Sequence, residues 1–187
     1  MINMEYLNKA IDFAVYAHRN QLRKGTDIPY IAHPVGVAML LQTVNCPEEL
    51  VIAGLLHDTV EDTEITLEDI RKEFGDNIAD IVKGCSEPDK SLSWEERKAH
   101  TLEHLKTASD EIRLVTLADK LHNIQTIAHD YMQLGESIWQ RFKRGKEQQA
   151  WYYCNLLETL NKPNQHPGFL FLYEQFKKAV IELFGSN

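Results

Sequence analysis

The sequence predicts an all-α fold, and two kinds of observation support this prediction. Apolar residues recur at helical spacing along almost the whole chain, whereas the alternating pattern that would predict β-strands is absent from the sequence. Two segments also carry a Ser or Thr followed three positions later by an acidic residue, the pattern that caps the start of a helix. These capping pairs are Thr66 with Asp69 and Ser93 with Glu96.

The predicted helices follow one another from the beginning of the sequence to its end. Gly25 and Pro29 interrupt the helical spacing after the first helix and predict a loop. Pro34 and Pro47 each suit the first turn of a helix, where the amide hydrogen that proline lacks would have no partner. In chain order the predicted helices cover about 7–18, 34–41, 47–62, 66–74, 76–85, 93–106, 111–129, 137–160 and 169–184, with loops at 88–91 and 161–168.

The bulk composition narrows the class of protein. The 187 residues, of which 43% are hydrophobic and 26% charged, are enough for one globular domain. The net charge of −8 argues against a surface for nucleic acid or for an anionic membrane, both of which require a basic excess. The three cysteines form no CxxC motif, and the longest apolar run, about residues 51–56, is far too short to span a membrane. We therefore expect a soluble, cytoplasmic protein.

The segment LLHDTVED ends an apolar helix with four ionisable residues. At about 100° per residue on a continuous helix, His57 and Asp58 diverge, and Glu61 projects between them one turn later. Asp62 lies one turn above Asp58, and Gly54 leaves space one turn earlier. Carboxylates in the last turn of a helix face its negative end, which is unfavourable unless a cation is present. The segment therefore predicts a metal site, with a solvated helix end as the alternative.

Two further segments supply candidate metal ligands. Asp119 interrupts the otherwise apolar helix EIRLVTLADKLHNIQTI, and an aspartate in such surroundings is rarely buried without a cation or strong donors. A surface ion pair of Asp119 with Lys120 or Arg113 is the alternative. His33 precedes a proline in YIAHP, where a single histidine is more often a packing residue than a ligand. Taken together, two imidazoles and two carboxylates suit Mn²⁺ or Fe²⁺ better than a thiolate-seeking ion.

A rival metal motif also occurs in the sequence. His100, Glu103 and His104 form the pattern HxxEH, which is found in some zinc proteases. The residues around this pattern are polar on almost all sides of the predicted helix. A solvated helix is therefore the favoured interpretation, because five-residue patterns recur by accident.

The motifs YIAHP, LLHDTVED and LADKLHN resemble, in this order, the H…HD…D pattern of the HD-domain metal phosphohydrolases. The hydrolase domain of the RelA/SpoT enzymes and the free-standing small alarmone hydrolases are the most similar members. The resemblance runs from about Ala14 to Thr126 and includes AHRNQLRK, FGDNIADIV and ERK. It implies an all-α HD-domain helical bundle, a single domain over 1–187 with a core of about 5–130 and a C-terminal helical extension of about 131–187.

The resemblance also implies a role for individual residues. The family binds one Mn²⁺, with Fe²⁺ or another divalent ion as alternatives, and removes the 3′-pyrophosphate of guanosine tetra- or pentaphosphate. By motif position it implies four metal ligands, an acidic pair that positions or deprotonates the attacking water, and four substrate contacts. The implied metal ligands are His33, His57, Asp58 and Asp119. The implied acidic pair is Glu61 and Asp62, and the implied substrate contacts are Arg23, Lys24, Asn123 and Thr126.

Two departures from the family pattern leave the nucleotide open. The family usually has Arg where this chain has Gln125, and the segment GCSEPDKSLSW lacks the usual threonine-lysine turn. The basic segment RFKRGK offers compensation, because Arg141, Lys143 or Arg144 could reach the substrate, although a solvated helix face is the commoner fate of such residues.

Three functions are compatible with the sequence. The favoured one is a Mn²⁺-dependent guanosine-3′,5′-bis(diphosphate) 3′-pyrophosphohydrolase. The alternatives are an HD hydrolase acting on another nucleotide, such as the 2′-phosphate of NADPH, and a non-catalytic nucleotide sensor. An enzyme is favoured because all the implied ligands and the acidic pair are present. The expected partner is a small-molecule nucleotide, with neither nucleic acid nor a membrane, and the sequence gives no indication of the oligomeric state.

Overall fold

The computed structural model describes residues 3–87 and 91–185, and all regular elements in these ranges are helical. The all-α prediction is confirmed. An isolated β-bridge between Leu22 and Pro29 closes the loop after the first helix. The α-helices are α1 (Met4–Ala17), α2 (Ala32–Thr43), α3 (Glu48–Leu56), α4 (Thr59–Asp62), α5 (Leu67–Phe74), α6 (Asp76–Cys85), α7 (Trp94–Leu105), α8 (Asp110–Leu134), α9 (Gly145–Leu160) and α10 (Gly168–Phe184), with a 3₁₀ helix at Gly135–Arg141.

Both predicted capping boxes are present. The Thr66 hydroxyl accepts from the Asp69 amide, and the Asp69 carboxylate accepts in return from the Thr66 amide at 2.9 Å. Ser93 and Glu96 repeat this arrangement at the start of α7. Such reciprocal bonds satisfy amides that a helix start leaves unpaired. The predicted starts of α5 and α7 are therefore confirmed.

The predicted continuous helix over 47–62 is wrong, because the chain breaks between α3 and α4. Asp58 adopts φ −95° and ψ −6°, outside the regular α-helical geometry. The break is stabilised locally, since His57 Nδ1 lies 2.7 Å from the Gly54 carbonyl oxygen and the Thr59 hydroxyl donates to the Leu56 carbonyl at 2.7 Å. The break also overturns the prediction that His57 and Asp58 diverge, because their side chains meet at 3.1 Å.

The predicted role of Gly54, to leave space for a bound group, is also wrong. A Cβ at this position would lie 2.5 Å from Leu41 Cδ1 and 3.3 Å from Val37 Cγ1. Gly54 therefore allows α3 to pack closely against α2. Both helices contribute fully buried side chains to the core at this contact.

The predicted helix over 137–160 is interrupted. The 3₁₀ helix ends at Arg141, and α9 begins only at Gly145. Gly135 and Gly145 have φ of +56° and +70°, in the left-handed region that favours glycine, which explains why the helical path changes there.

The predicted loop at 88–91 lies mostly outside the described residues. None of the described helices is long and apolar enough to cross a membrane.

The centre of the molecule consists of α3 and the first half of α8. Every residue from Leu50 to His57 is buried, as is every residue from Arg113 to Asp119. The helices after α8 contribute Ile138, Leu156 and Phe176 to the same apolar cluster. Asp119 and the break after α3 therefore lie next to the apolar core.

Candidate metal centre and adjoining cavity

Four polar side chains from three parts of the fold converge in the core. His33 lies in the first turn of α2, His57 and Asp58 lie at the break after α3, and Asp119 lies near the middle of α8. Asp58 Oδ2 lies 3.1 Å from His57 Nε2 and 3.5 Å from His33 Nε2. Asp119 Oδ1 lies 3.1 Å from His33 Nε2 and 3.7 Å from His57 Nε2. The structure thus brings together the four side chains implied as metal ligands.

The local bonds of His57 leave one ring nitrogen available. A carbonyl oxygen can only accept, so the contact with Gly54 places a proton on Nδ1. The opposite nitrogen, Nε2, is buried and makes no bond of hydrogen-bonding geometry, although Asp58 Oδ2 is 3.1 Å away. The nitrogen and the carboxylate oxygens therefore point toward a common space. This is the arrangement expected of ligands around a cation.

His33 is oriented by a second histidine, His122. Their Nδ1 atoms lie 2.9 Å apart, so one of the two nitrogens donates to the other. Burial is the main cause that lowers the pKa of His122 to about 4, which leaves this ring neutral and able to accept. Gly36 makes room for His122, because a Cβ there would lie 2.1 Å from the ring. Burial also lowers the pKa of His33, which favours a neutral ring, and its Nε2 faces the carboxylates of Asp58 and Asp119.

The two carboxylates of the centre favour a positive charge between them. Burial lowers the pKa of His57, but the carboxylates of Asp58 and Asp119 outweigh burial and hold this pKa well above its usual value. Burial raises the pKa of Asp119, and the ammonium of Lys120 and the two histidines more than reverse this effect. Without a metal ion, a proton on His57 compensates the two carboxylates. A divalent cation bound by the same atoms would serve the same purpose.

Three neighbours fix the carboxylates. The Tyr30 hydroxyl donates to Asp58 Oδ2 at 2.5 Å. The Asn123 amide donates to Asp119 Oδ1 at 2.6 Å, and Lys120 Nζ lies 2.7 Å from Asp119 Oδ2. Asp119 therefore pairs with Lys120 as the alternative proposed, but inside the protein and not at its surface. Arg113 instead bonds Asp110 and the Pro163 carbonyl.

The two acidic residues of α4 have different surroundings. Glu61 Oε2 accepts from the backbone amide of Glu87 at 3.0 Å. Burial raises the pKa of the Glu61 carboxyl, and the nearby Asp58 adds to this rise, while the Glu87 amide opposes it. Asp62 lines a separate surface cavity with Tyr16 and Gln21. Because α3 and α4 are separate, the angular relation predicted for the pair does not hold.

A cavity of about 370 Å³ adjoins the centre, with His33 in its wall. The four residues implied as substrate contacts all line it, although Lys24 is otherwise exposed. Arg23 Nη2 donates to Asn123 Oδ1 at 3.1 Å, so a continuous polar path links this arginine to Asp119. The Thr126 hydroxyl donates to a carbonyl of its own helix at 2.9 Å.

One of the three basic residues proposed to compensate for Gln125 lines this cavity. Arg141 lies in its wall and forms an ion pair with Asp130 at 2.5 Å. Arg144 instead pairs with Glu95 at 2.7 Å, and the exposed Lys143 is not part of the wall.

The rival HxxEH motif does not form a cluster of ligands. His100 and His104 are exposed on α7, and Glu103 pairs with Lys106. Among the described residues, the group of His, Cys, Asp and Glu side chains whose donor atoms all lie within 4.8 Å of one another consists of His33, His57 and Asp58. Asp119 is outside this mutual limit, but its Oδ1 lies within 3.7 Å of both histidines, so it remains a candidate fourth ligand. The solvated-helix interpretation of the motif agrees with this geometry.

Comparison with known proteins agrees with the motif pattern. A family model described as an HD domain matches residues 10–147, which include the converging side chains and the first part of the cavity wall. This chain belongs to the HD-domain family. The HD-family resemblance predicted from the sequence is therefore confirmed.

Individual proteins of known name are also similar to this chain. It is 43% identical over 124 residues to the guanosine-3′,5′-bis(diphosphate) 3′-pyrophosphohydrolase MESH1 of Danio rerio, covering 65% of this chain and 68% of the relative. It is 38% identical over 129 residues to a GTP pyrophosphokinase of Streptomyces coelicolor, of which it covers 15%. The chain thus spans about two thirds of one relative and a small part of the other.

Two solved structures have the same fold. The structure of a metazoan ortholog of SpoT, titled as hydrolysing ppGpp, superimposes with a TM-score of 0.82 at 26% identity, covering 100% of this chain and 99% of the other. A Listeria monocytogenes protein superimposes with a TM-score of 0.76 at 40% identity, covering 82% and 99%.

Sequence reasoning missed several side chains around the HD site. Tyr30 is the first residue of the motif YIAHP, and its place three residues before His33 was the available signal. His122 shares a helical face with Asp119, so its proximity could have been inferred from spacing. Gln149 and Tyr153 of α9 line the cavity. Their position there depends on the change of chain direction after α8, which apolar periodicity does not predict.

Proposed function

We propose that this HD domain is a Mn²⁺-dependent nucleotide phosphohydrolase that removes the 3′-pyrophosphate of guanosine-3′,5′-bis(diphosphate). The observation that carries the proposal is the convergence of two imidazole nitrogens and two carboxylate oxygens beside a cavity with basic residues in its wall. The zebrafish relative is named for this reaction, and the metazoan structure is titled for hydrolysis of the same nucleotide.

The proposed metal ligands fit an ion of intermediate hardness. Imidazole nitrogens and carboxylate oxygens without thiolates suit Mn²⁺ or Fe²⁺. When bound, such an ion neutralises charge on phosphoryl oxygens and makes water more acidic. The chain's own contribution is to hold the four proposed ligands in place. Tyr30 holds Asp58, His122 holds His33, Asn123 and Lys120 hold Asp119, and the Gly54 carbonyl holds His57. The ligand set proposed here is His33, His57, Asp58 and Asp119.

Glu61 is the proposed general base. Its half-buried carboxyl has a raised pKa, so its carboxylate is a stronger base than that of an exposed glutamate. The Glu87 amide fixes one oxygen at 3.0 Å, and the other oxygen is the one proposed to accept a proton from water. We assign Asp62, which lines a different cavity, a supporting electrostatic role within the acidic pair.

The cavity would hold the nucleotide. Arg23 offers a planar guanidinium for stacking and for bidentate phosphate contacts, and Lys24 offers a compact charge. Asn123 and Thr126 lie on the α8 side of the same cavity. Because His33 borders the cavity, a nucleotide bound there can place a phosphate beside the proposed metal ligands.

The experiment is a hydrolysis assay of the purified protein with Mn²⁺ and a nucleotide panel, followed by product identification. Pyrophosphate released from guanosine tetraphosphate supports the proposal. Orthophosphate released from NADPH would indicate the alternative substrate, and binding without product would indicate a sensor. His57→Ala should abolish turnover and His100→Ala should not, since His100 lies in the exposed rival motif. The opposite result would contradict the assignment of the metal centre.

A further inference from the structure

Two buried polar side chains of α9 face the cavity without a hydrogen-bond partner. Gln149 and Tyr153 are one helical turn apart, both line the cavity, and they are only 8% and 4% exposed. Neither the Gln149 amide nor the Tyr153 hydroxyl makes a hydrogen bond within the described part of the chain. The fully buried polar atoms without a partner include none from these two side chains, so the Gln149 amide and the Tyr153 hydroxyl open onto the cavity, where a ligand can pair with them.

The chemistry of this pair favours a neutral ligand group. A primary amide presents one donor and one acceptor side by side, and a phenol adds a third position that can donate or accept. Purine edges carry matching neighbouring donors and acceptors, which is why glutamine can bind a base through two hydrogen bonds. Phosphate oxygens are better matched by the basic residues elsewhere in the wall, such as Arg23 and Lys24.

The remaining wall near α9 is suited to the flat face of a base. Ile138 and Phe142, from the segment between α8 and α9, line the same cavity and provide apolar surface. Ligand sites commonly combine such apolar walls with a few fixed polar groups that determine specificity. The two α9 residues also lie beyond residues 10–147, which the HD family model matches, so this edge belongs to the C-terminal part of the chain.

We infer that Gln149 and Tyr153 form a specificity-determining edge that binds the purine base of the nucleotide substrate. This inference rests on the proposed function and extends it, because it assigns the base-binding role to α9. Both residues are binding residues and take no part in the chemical step. Their loss should therefore raise KM and leave kcat near its wild-type value.

The test uses two variants and two matched controls. Gln149→Met and Tyr153→Phe remove the hydrogen-bonding groups with little change in volume. Gln148→Met and Tyr152→Phe make the same changes at neighbouring positions of α9 that are not part of the cavity wall. The buried Tyr152 hydroxyl also has no hydrogen-bond partner, so this control separates the lack of a partner from a position in the wall. Thermal unfolding of all four variants should show that they are folded. For each one, kcat and KM are measured with guanosine tetraphosphate, and dissociation constants are measured by calorimetry for GDP, ADP and inorganic pyrophosphate.

The expected result depends on the base. Gln149→Met and Tyr153→Phe should each weaken the binding of the preferred purine nucleotide about tenfold, as for a lost hydrogen bond at a buried site. Binding of pyrophosphate, which has no base, should stay within twofold, as should all values for the controls. Comparison of GDP with ADP in the wild type identifies which purine is bound. Unchanged purine binding in both variants, or an equal loss for pyrophosphate, would overturn the inference.

The two proposals can fail separately. A wild-type protein that binds GDP or ADP but releases no pyrophosphate refutes the proposed reaction, and the calorimetric comparison still decides the role of Gln149 and Tyr153. A wild-type protein that hydrolyses guanosine tetraphosphate with unchanged KM in both variants keeps the reaction and removes the α9 edge. A protein that binds no purine nucleotide at all refutes both.

Discussion

Tyr30→Phe tests whether the groups around the proposed ligands determine metal affinity. The Tyr30 hydroxyl donates to Asp58 Oδ2 at 2.5 Å, and this same oxygen lies 3.1 Å from His57 Nε2. Burial and the adjacent Asp58 carboxylate raise the pKa of Tyr30, so the hydroxyl remains protonated and donates at any physiological pH. The substitution removes one oxygen atom and leaves the ring in place.

The magnitude follows from the type of bond. A hydrogen bond to a charged acceptor contributes about 1.5–3 kcal/mol. Since about 1.4 kcal/mol corresponds to a tenfold change, the Mn²⁺ dissociation constant should rise roughly 10- to 100-fold, the range typical of groups that orient metal ligands. Loss of the donor also makes the Asp58 carboxylate more basic, which favours the metal. Orientation should outweigh this effect, because the fixed oxygen is the atom that faces both histidines.

The assay is a calorimetric titration of metal-free protein with Mn²⁺ at constant pH. Tyr16→Phe is the control, because Tyr16 is 64% exposed on α1 and should bind Mn²⁺ as the wild type does. An affinity of Tyr30→Phe within twofold of the wild-type value would refute the idea that the hydroxyl orients a metal ligand. It would leave the ligand set itself to be tested by His57→Ala.

Two substitutions test other parts of the same argument. Glu61→Gln should keep Mn²⁺ affinity and lower kcat about 10²–10⁴-fold, the usual contribution of a general base, and full activity in steady-state assays would show that another group takes the proton. Gly54→Ala should lower the free energy of unfolding by about 1–3 kcal/mol, because its Cβ would overlap Leu41, and chemical denaturation measures this loss. Wild-type stability for Gly54→Ala would contradict the close packing of α3 on α2.

The sequence predicted most of the helices because their signals are local. Apolar periodicity and the boxes at Thr66 and Ser93 depend on residues within one or two turns. The break after Leu56 was missed because side-chain bonds to the backbone, from His57 and Thr59, accompany it and leave no periodic signal. Such competition between side chain and backbone depends on three-dimensional surroundings, not on spacing.

For the candidate site, too, local signals were predictive and contacts between distant segments were not. Residue types and motif order were enough to select the four side chains that the structure brings together. The angular argument for His57 and Asp58 failed because it assumed one uninterrupted helix. Nothing in the sequence indicates that α9 returns to the cavity wall, since contacts between distant segments leave no periodic signal. Gln149 could therefore be recognised only from its position in the fold.

The centre's charge balance leads to a final prediction, that Mn²⁺ binding releases a proton from His57. The neighbouring carboxylates hold the folded pKa of His57 well above its usual value of 6.5. The stability that this proton contributes is therefore fully present below about pH 6.5 and is lost as the pH rises through the raised folded pKa. A metal ligand must be unprotonated, so Mn²⁺ and the proton on Nε2 compete for one place.

The competition can be measured directly. At pH 7.5 the observed binding enthalpy should differ between Tris and HEPES, which have different ionisation enthalpies, by an amount equivalent to as much as one proton per Mn²⁺. Apparent affinity should increase with pH until the raised pKa is passed. Equal enthalpies in the two buffers would mean that His57 is already neutral in the metal-free protein. Positive charge beside the carboxylates would then come from Lys120, whose Nζ lies 2.7 Å from Asp119 Oδ2.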